Sequence, residues 1–222
     1  PTWRRQLGLA PEGRVVLLVG GGEGMGPVQP MARAIDAALP LDEPRTQLVV
    51  ITGRNAVLRS RLQAVPWRHP AHITGFVTNM PEWMAAADVL VSKAGPGTIM
   101  EGMLSGLPLI LMGKVPGQED GNVHYITQKE IGIWEPNPQR AALQLRAWLE
   151  PGNPALAAMS ARARQLGRPD AASAIARDLL AVADETFKGA FHSQPPAFPL
   201  STLRPQRPFR RLVKVGLFRR RV

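Results

Sequence analysis

From Arg14 to Leu111 the chain alternates short, almost wholly apolar runs with amphipathic stretches, and this alternation restricts what it can fold into. A strand that is apolar at nearly every position has no face to offer water. It must lie in a sheet covered on both sides, which parallel strands joined by crossover helices provide. The expected strands are Val15–Val19, Gln47–Thr52, His72–Thr74, Asp88–Ser92 and Leu107–Met112. Between them the pattern predicts helices over Val28–Leu39, over Asn55–Val65 with Pro66 ending it, over a short segment capped by Asn79 and reaching Ala87, and over Thr98–Ser105. Gly106 suits a left-handed C-cap for the last of these. The fold class is therefore α/β, a doubly wound parallel sheet. Beyond Gly121 the reading becomes helical: Val123–Glu130, Gln139–Leu149, Pro154–Leu166 and Asp170–Ala183, with Asn153 and Asp170 at N-cap positions.

The formal charge of +10 is unevenly distributed. Of 27 basic and 17 acidic residues, positions 185–222 hold nine and one, which leaves 18 and 16 in positions 1–184. The body is nearly neutral, so a uniformly basic nucleic-acid-binding face is excluded for it. The expected division is a ligand-binding domain over 1–184 and, over 185–222, a Pro-rich linker followed by a basic-apolar tail at 209–222. With no cysteine, disulfides and thiolate metal sites are ruled out. A cytoplasmic location is expected, with a peripheral position at the cytoplasmic face of a membrane if the tail meets anionic lipid. The chain opens on Pro1 without a signal-type segment and is expected to be a piece of a longer protein.

Ligands of doubly wound sheets sit beyond the carboxyl ends of the strands, which singles out four loops. In Gly20–Pro27 five glycines in seven residues allow a close backbone approach to phosphate, or simply a tight turn. The loop has neither the spaced dinucleotide fingerprint nor the Gly-Lys-Ser/Thr of a nucleotide-hydrolase phosphate loop. Ala94, Gly95, Pro96 and Gly97 turn into a helix at Thr98, and Glu101 lies one turn further on. That glutamate stabilises the helix N-terminus by its charge, closes a capping box with Thr98, or grips vicinal hydroxyls. Lys93, just before this turn, reads as a solvated side chain or as a phosphate partner. Gln118, Glu119, Asp120 and Asn122 form either a polar surface loop that caps the next helix or a set of donors and acceptors for sugar hydroxyls. Phe76 in the loop Thr74–Met80 either packs in the core or meets a flat base. His69, His72, His124 and His192 show no metal-ligand spacing, and Ser92 and Ser105 lack a nucleophile elbow. No metal and no catalytic base are expected in the chain.

The ordered set GGGEGMGP, GFVTNMPEWMAAADVLVSKAGPGTIMEGMLSGLPLIL and PGQEDGN resembles the C-terminal, nucleotide-sugar-binding domain of family 28 glycosyltransferases of the monogalactosyldiacylglycerol synthase type. The resemblance runs from about Leu7 to about Ala183. It implies the Rossmann-like C-terminal half of a GT-B enzyme and a UDP-sugar donor, which is a substrate, so no cofactor is expected. Uracil is implied at the backbone around Phe76 and Val77, the diphosphate at Ala94, Gly95, Pro96, Gly97 and Thr98, and the ribose at Glu101. The same resemblance implies the sugar and its distal phosphate at Gln118, Glu119 and Asn122, with Gly21, Gly22, Glu23, Gly24, Met25 and Gly26 facing the diphosphate. It further implies a lipid acceptor held by an N-terminal domain outside this chain. A UDP-sugar epimerase would use a similar fold, although GGGEGMGP argues against one, and a non-catalytic nucleotide-binding module with a membrane-surface tail would use the same loops.

Overall fold

The computed structural model describes residues 2–42 and 45–190. These fall into two compact units, one ending at Pro169 and one beginning at Asp170. The first contains one sheet of six parallel strands: β1 (Val15–Val19), β2 (Gln47–Ile51), β3 (Ala71–Thr74), β4 (Val89–Lys93), β5 (Leu109–Gly113) and β6 (Gly132–Trp134). Their order is β3-β2-β1-β4-β5-β6. Every residue of β1 and β2 is buried, as a strand covered on both faces requires. Helices α1 (Thr2–Gln6), α2 (Val28–Ala38), α3 (Ala56–Gln63), α4 (Met80–Ala86), α5 (Pro96–Leu104), α6 (Asp120–Gln128), α7 (Pro138–Leu149) and α8 (Ala155–Leu166) complete this unit.

Alternate strand residues feed two cores. Val16, Leu18, Val50, Val91 and Ile110 meet Met31 and Ile35 of α2 and Leu145 of α7. Leu17, Val49, Leu90, Leu109 and Leu111 meet Met84 of α4, Met103 of α5, Ile126 of α6 and Ala163 of α8. In the second unit α9 (Ala171–Ala190) extends past the expected end at Ala183 and leaves Ile175, Leu179, Leu180 and Val182 exposed. The expected linker beyond Ala190, the 209–222 segment and His192 lie outside the described residues. Among the described residues no helix is long and apolar enough to cross a membrane.

Three expectations require correction. The strand β6 was not anticipated, because Gly132–Trp134 is too short to show a period and sits in a stretch read as helical. The helix expected from Thr98 starts at Pro96, where proline suits the first helical position. The helix expected from Val123 starts at Asp120.

The fold is tied laterally by polar groups far apart in sequence. Asp88 accepts from the Arg4 guanidinium at 2.8 Å and from the Val15 amide at 2.7 Å, joining the N-terminal segment to the bottom of β4. His69 is structural: its Nδ1 lies 3.0 Å from Asp36 Oδ1 and its Nε2 2.9 Å from the Pro40 carbonyl. Asp36 also accepts from the amides of Arg68 and His69. Asp36→Ala would orphan these buried donors at about 1–3 kcal/mol each. It should lower the urea midpoint at unchanged slope, and Asp36→Asn, which keeps one acceptor oxygen, should lower it less.

Candidate functional site

The order of strands places β1 beside β4, while the crossovers from these two strands leave in opposite directions. The loops that follow them therefore part and open a gap at the carboxyl edge of the sheet. The first loop, Gly20–Pro27, is held in one shape rather than left slack. Its turns close through the Met25 amide to the Gly20 carbonyl at 2.7 Å and the Arg54 amide to the Gly22 carbonyl at 2.7 Å. Gly24 has φ +61 and Gly53 φ +59, and a Cβ on either would run into backbone carbonyl oxygen: of Thr52 for Gly24, of Gly22 for Gly53. These two glycines serve the packing of one loop on the other. Gly21, Gly22 and Gly26 are not crowded by backbone, so part of the loop's surface remains open. Met25 is exposed at its tip.

Across the gap, β4 ends at Lys93 and the chain turns through Ala94 and Gly95 into α5. Gly95 occupies the N-cap position with no side-chain cap, so the expected capping box does not form; Thr98 lies inside the helix. Gly97 is exposed, and a Cβ there would meet nothing within 4 Å. Glu101 lies on the same exposed side and makes no side-chain hydrogen bond or ion pair among the described residues. Asn122 does not cap α6; its Nδ2 donates to the Ala94 carbonyl at 2.8 Å, fastening the start of α6 to the turn.

Lys93 is not a freely solvated side chain. Its ammonium lies 2.5 Å from Glu119 Oε1, with side-chain exposures of 25% for the lysine and 3% for the glutamate. Glu119 Oε2 accepts from the Val115 amide at 2.9 Å. Asp120 pairs with Lys114 and accepts from the Gly117 amide, while Gln118 is exposed. Phe76 is 54% exposed, which removes the core-packing reading, and the Arg54 guanidinium sits 4.5 Å above its ring. Arg54 also pairs with Glu23 at 2.8 Å, linking the glycine loop to the Phe76 loop. Sequence reading missed Arg54; the only signal was its place at a strand end. Val77 packs against the core that holds Met84 and Met103.

Helix α3 and helix α7 begin with asparagine caps, Asn55 accepting from the Leu58 amide and Asn137 from the Arg140 amide. Helices α2, α5 and α6, whose N-termini border the gap, have no side-chain cap, and neither does α4. Their first-turn amides carry partial positive charge that a bound anion would satisfy. Two hollows, of about 630 and 310 Å³, lie at the opposite edge of the sheet, around Arg14 and Asp88. They share no residue with the four loops and are built around the salt bridges of Asp88. Among the described residues no group of three or more His, Cys, Asp or Glu could hold a metal ion.

A six-stranded, parallel, doubly wound sheet with open helix N-termini at its switch point defines a Rossmann-like ligand-binding domain of the GT-B type. The chain belongs to the family described as the glycosyltransferase family 28 C-terminal domain, which matches residues 15–173. It is 44% identical over 179 residues to probable monogalactosyldiacylglycerol synthase 3 of Oryza sativa subsp. japonica, covering 79% of this chain and 35% of the relative. The Spinacia oleracea monogalactosyldiacylglycerol synthase is also 44% identical, over 79% of this chain and 34% of its own length. The chain thus spans about a third of the length of these relatives. Among solved structures it is similar to WaaG, a glycosyltransferase involved in lipopolysaccharide biosynthesis (TM-score 0.58, 25% identity, 74% of this chain and 45% of that one). It also shares its fold with Acinetobacter baumannii MurG (TM-score 0.59, 18% identity, 75% and 51%).

The expected cytoplasmic location is corrected by these relatives, which are named as chloroplastic proteins. The features behind that expectation, no cysteine and no long apolar run, do not distinguish the cytoplasm from a plastid.

Burial of the Glu119 carboxylate works to raise its pKa. The hydrogen bonds from Lys93 and the Val115 amide, with the charge of Lys93, together outweigh burial and hold it below the ordinary value of 4.5. A depressed carboxylate contributes stability that is present above its unfolded value and lost as pH falls through the folded one. Glu119→Gln should therefore lower stability at neutral pH, and its urea midpoint should converge with that of the natural chain at pH values well below 4.5.

Proposed function

We propose that this chain is the donor-binding part of a UDP-sugar-dependent glycosyltransferase that transfers galactose to a lipid acceptor of the diacylglycerol type. One observation carries the reading. Helix α5 opens uncapped at the switch point, and Glu101 stands one turn beyond Gly97 on the exposed side with its carboxylate unengaged among the described residues. A diphosphate at such a terminus meets amide donors and the positive end of the dipole, and a carboxylate beyond it can accept from both ribose hydroxyls. In this reading uracil lies against the backbone of Phe76 and Val77. The diphosphate lies on Ala94, Gly95, Pro96, Gly97 and Thr98, opposite Gly21 to Gly26, and the sugar reaches Gln118, Glu119 and Asn122.

The identity of the sugar and acceptor rests on the plant relatives, whose names specify monogalactosyldiacylglycerol synthesis. Helix N-termini would stabilise the departing UDP without an ion, so transfer is proposed to be metal-independent. The group that activates the acceptor hydroxyl is proposed to come from an N-terminal domain, and the basic-apolar sequence 209–222 suits an anionic lipid surface. An epimerase has less in its favour, since the relatives that share 44% identity are named as synthases.

Calorimetric titration tests the reading. The chain should bind UDP and UDP-galactose, and Glu101→Ala should weaken UDP by about tenfold or more, as the loss of hydrogen bonds to a charged acceptor predicts. Equal affinity in both proteins would remove the ribose assignment. With diacylglycerol and UDP-galactose the chain alone should transfer little or no sugar, measured as radiolabelled galactolipid.

A further inference from the structure

Lys93 is the side chain on which the strand-end loops converge. At this point β4 slips against β5: Ser92 stands opposite Leu111, whereas Lys93 stands opposite Gly113. The lysine leaves the sheet there, beside the gap. Its Cε lies 3.3 Å from where a Cβ of Gly21 would stand, and its Nζ lies 3.0 Å from the corresponding point on Gly95. The ammonium is bonded to Glu119 at 2.5 Å. One cation thus adjoins the glycine loop after β1, the turn after β4 and the polar loop after β5. Glycine at positions 21 and 95 leaves it room that a side chain would take.

Both oxygens of the carboxylate it meets are engaged. Glu119 is buried, Oε1 is held by Lys93 and Oε2 by the Val115 amide. In this arrangement Glu119 can offer a sugar hydroxyl little, although it lies where the proposed donor's sugar would reach. The ammonium retains two further N–H donors, and a quarter of the lysine side chain is exposed.

We infer that Lys93 and Glu119 form an exchange pair that couples recognition of the donor's diphosphate to recognition of its sugar. The inference rests on the donor reading given above. In the arrangement described, each neutralises the other, which keeps a buried carboxylate from standing uncompensated. An arriving diphosphate offers the ammonium a second anion, richer in charge and closer to the α5 amides. As Lys93 turns to it, Glu119 Oε1 is released and accepts from hydroxyls of the hexose. A diphosphate without a sugar must draw Lys93 away and leave Glu119 unpaired; a nucleotide sugar repairs that loss with its own donors. The pair therefore favours the intact donor over free UDP, which also eases release of UDP after transfer.

Titrations of the chain with UDP, UDP-galactose and uridine, on variants that remain folded by circular dichroism at the titration temperature, test the exchange. Lys93→Met should weaken UDP by about tenfold and leave uridine unchanged, and Lys93→Arg should restore most of the loss. Glu119→Gln should act in opposite directions on two ligands, tightening UDP by about threefold, because its lysine is freed, while weakening UDP-galactose. A natural chain that binds none of these ligands would overturn the donor reading and this inference with it. If the natural chain binds UDP, but Lys93→Met binds it equally well or Glu119→Gln weakens it, the exchange is overturned and the donor reading stands.

Discussion

The pairing of β1 with β4, Val16–Val19 against Val89–Ser92, is the constraint on which the rest of this molecule depends. From β1 the chain builds the sheet outward through β2 and β3, and from β4 it builds in the other direction through β5 and β6. Right-handed crossovers on the two sides must then lie on opposite faces, as the two cores record: α2 and α3 against one, α5 and α6 against the other. No connection covers the carboxyl ends of the two central strands. A sheet that buries nearly all its strand residues thereby leaves one edge open, and the loops found there are the ones with unusual chemistry.

What lines that opening is stiff. The glycine loop is braced by Thr52, Gly53 and Arg54, and Arg54 in turn joins Glu23 to the face of Phe76. The turn after β4 is braced by Asn122 on the Ala94 carbonyl. Backbone amides held in place before a ligand arrives need not be ordered when it binds, which is where a small site gains affinity. The glycines thus have two separable duties. Gly24 and Gly53 allow loops to touch, whereas Gly97 and Gly22 keep the surface bare of side chains.

β1, β2, β4 and β5 were legible because each is largely a run of apolar residues, and these four and the short β3 were each placed within two residues of their positions. β6 was not legible, since three residues beside a larger sheet draw their stability from β5 rather than from any pattern of their own. The loops that border the gap, where the site is proposed, were legible from glycine content at strand ends. Their partnerships were not. Lys93 and Glu119 lie 26 residues apart and Arg54 and Glu23 lie 31, and which acid faces which base depends on strand order. The capping box, one of the readings open for Thr98 and Glu101, does not form for a local reason: Pro96 fixes a dihedral that starts the helix earlier, which moves Thr98 out of the cap and leaves Glu101 without that partner.

The same partnerships explain how a nearly neutral body could attract a diphosphate. Beside the gap, Lys93 is paired with Glu119 and Arg54 with Glu23 from a neighbouring loop, and Lys114 with Asp120 at the far end of its own loop. Such an edge projects little net field, so long-range steering of an anion by this surface is weak. Attraction must come at contact, from the uncapped amides of α2, α5 and α6 and from whichever cation gives up its acid. Of the three, Lys114 and Arg54 hold partners that water already screens, and losing them costs little. Lys93 holds the buried one. Its release is the step with the largest consequence, and a ligand that brings hydroxyls to the abandoned carboxylate is the kind that can bring it about.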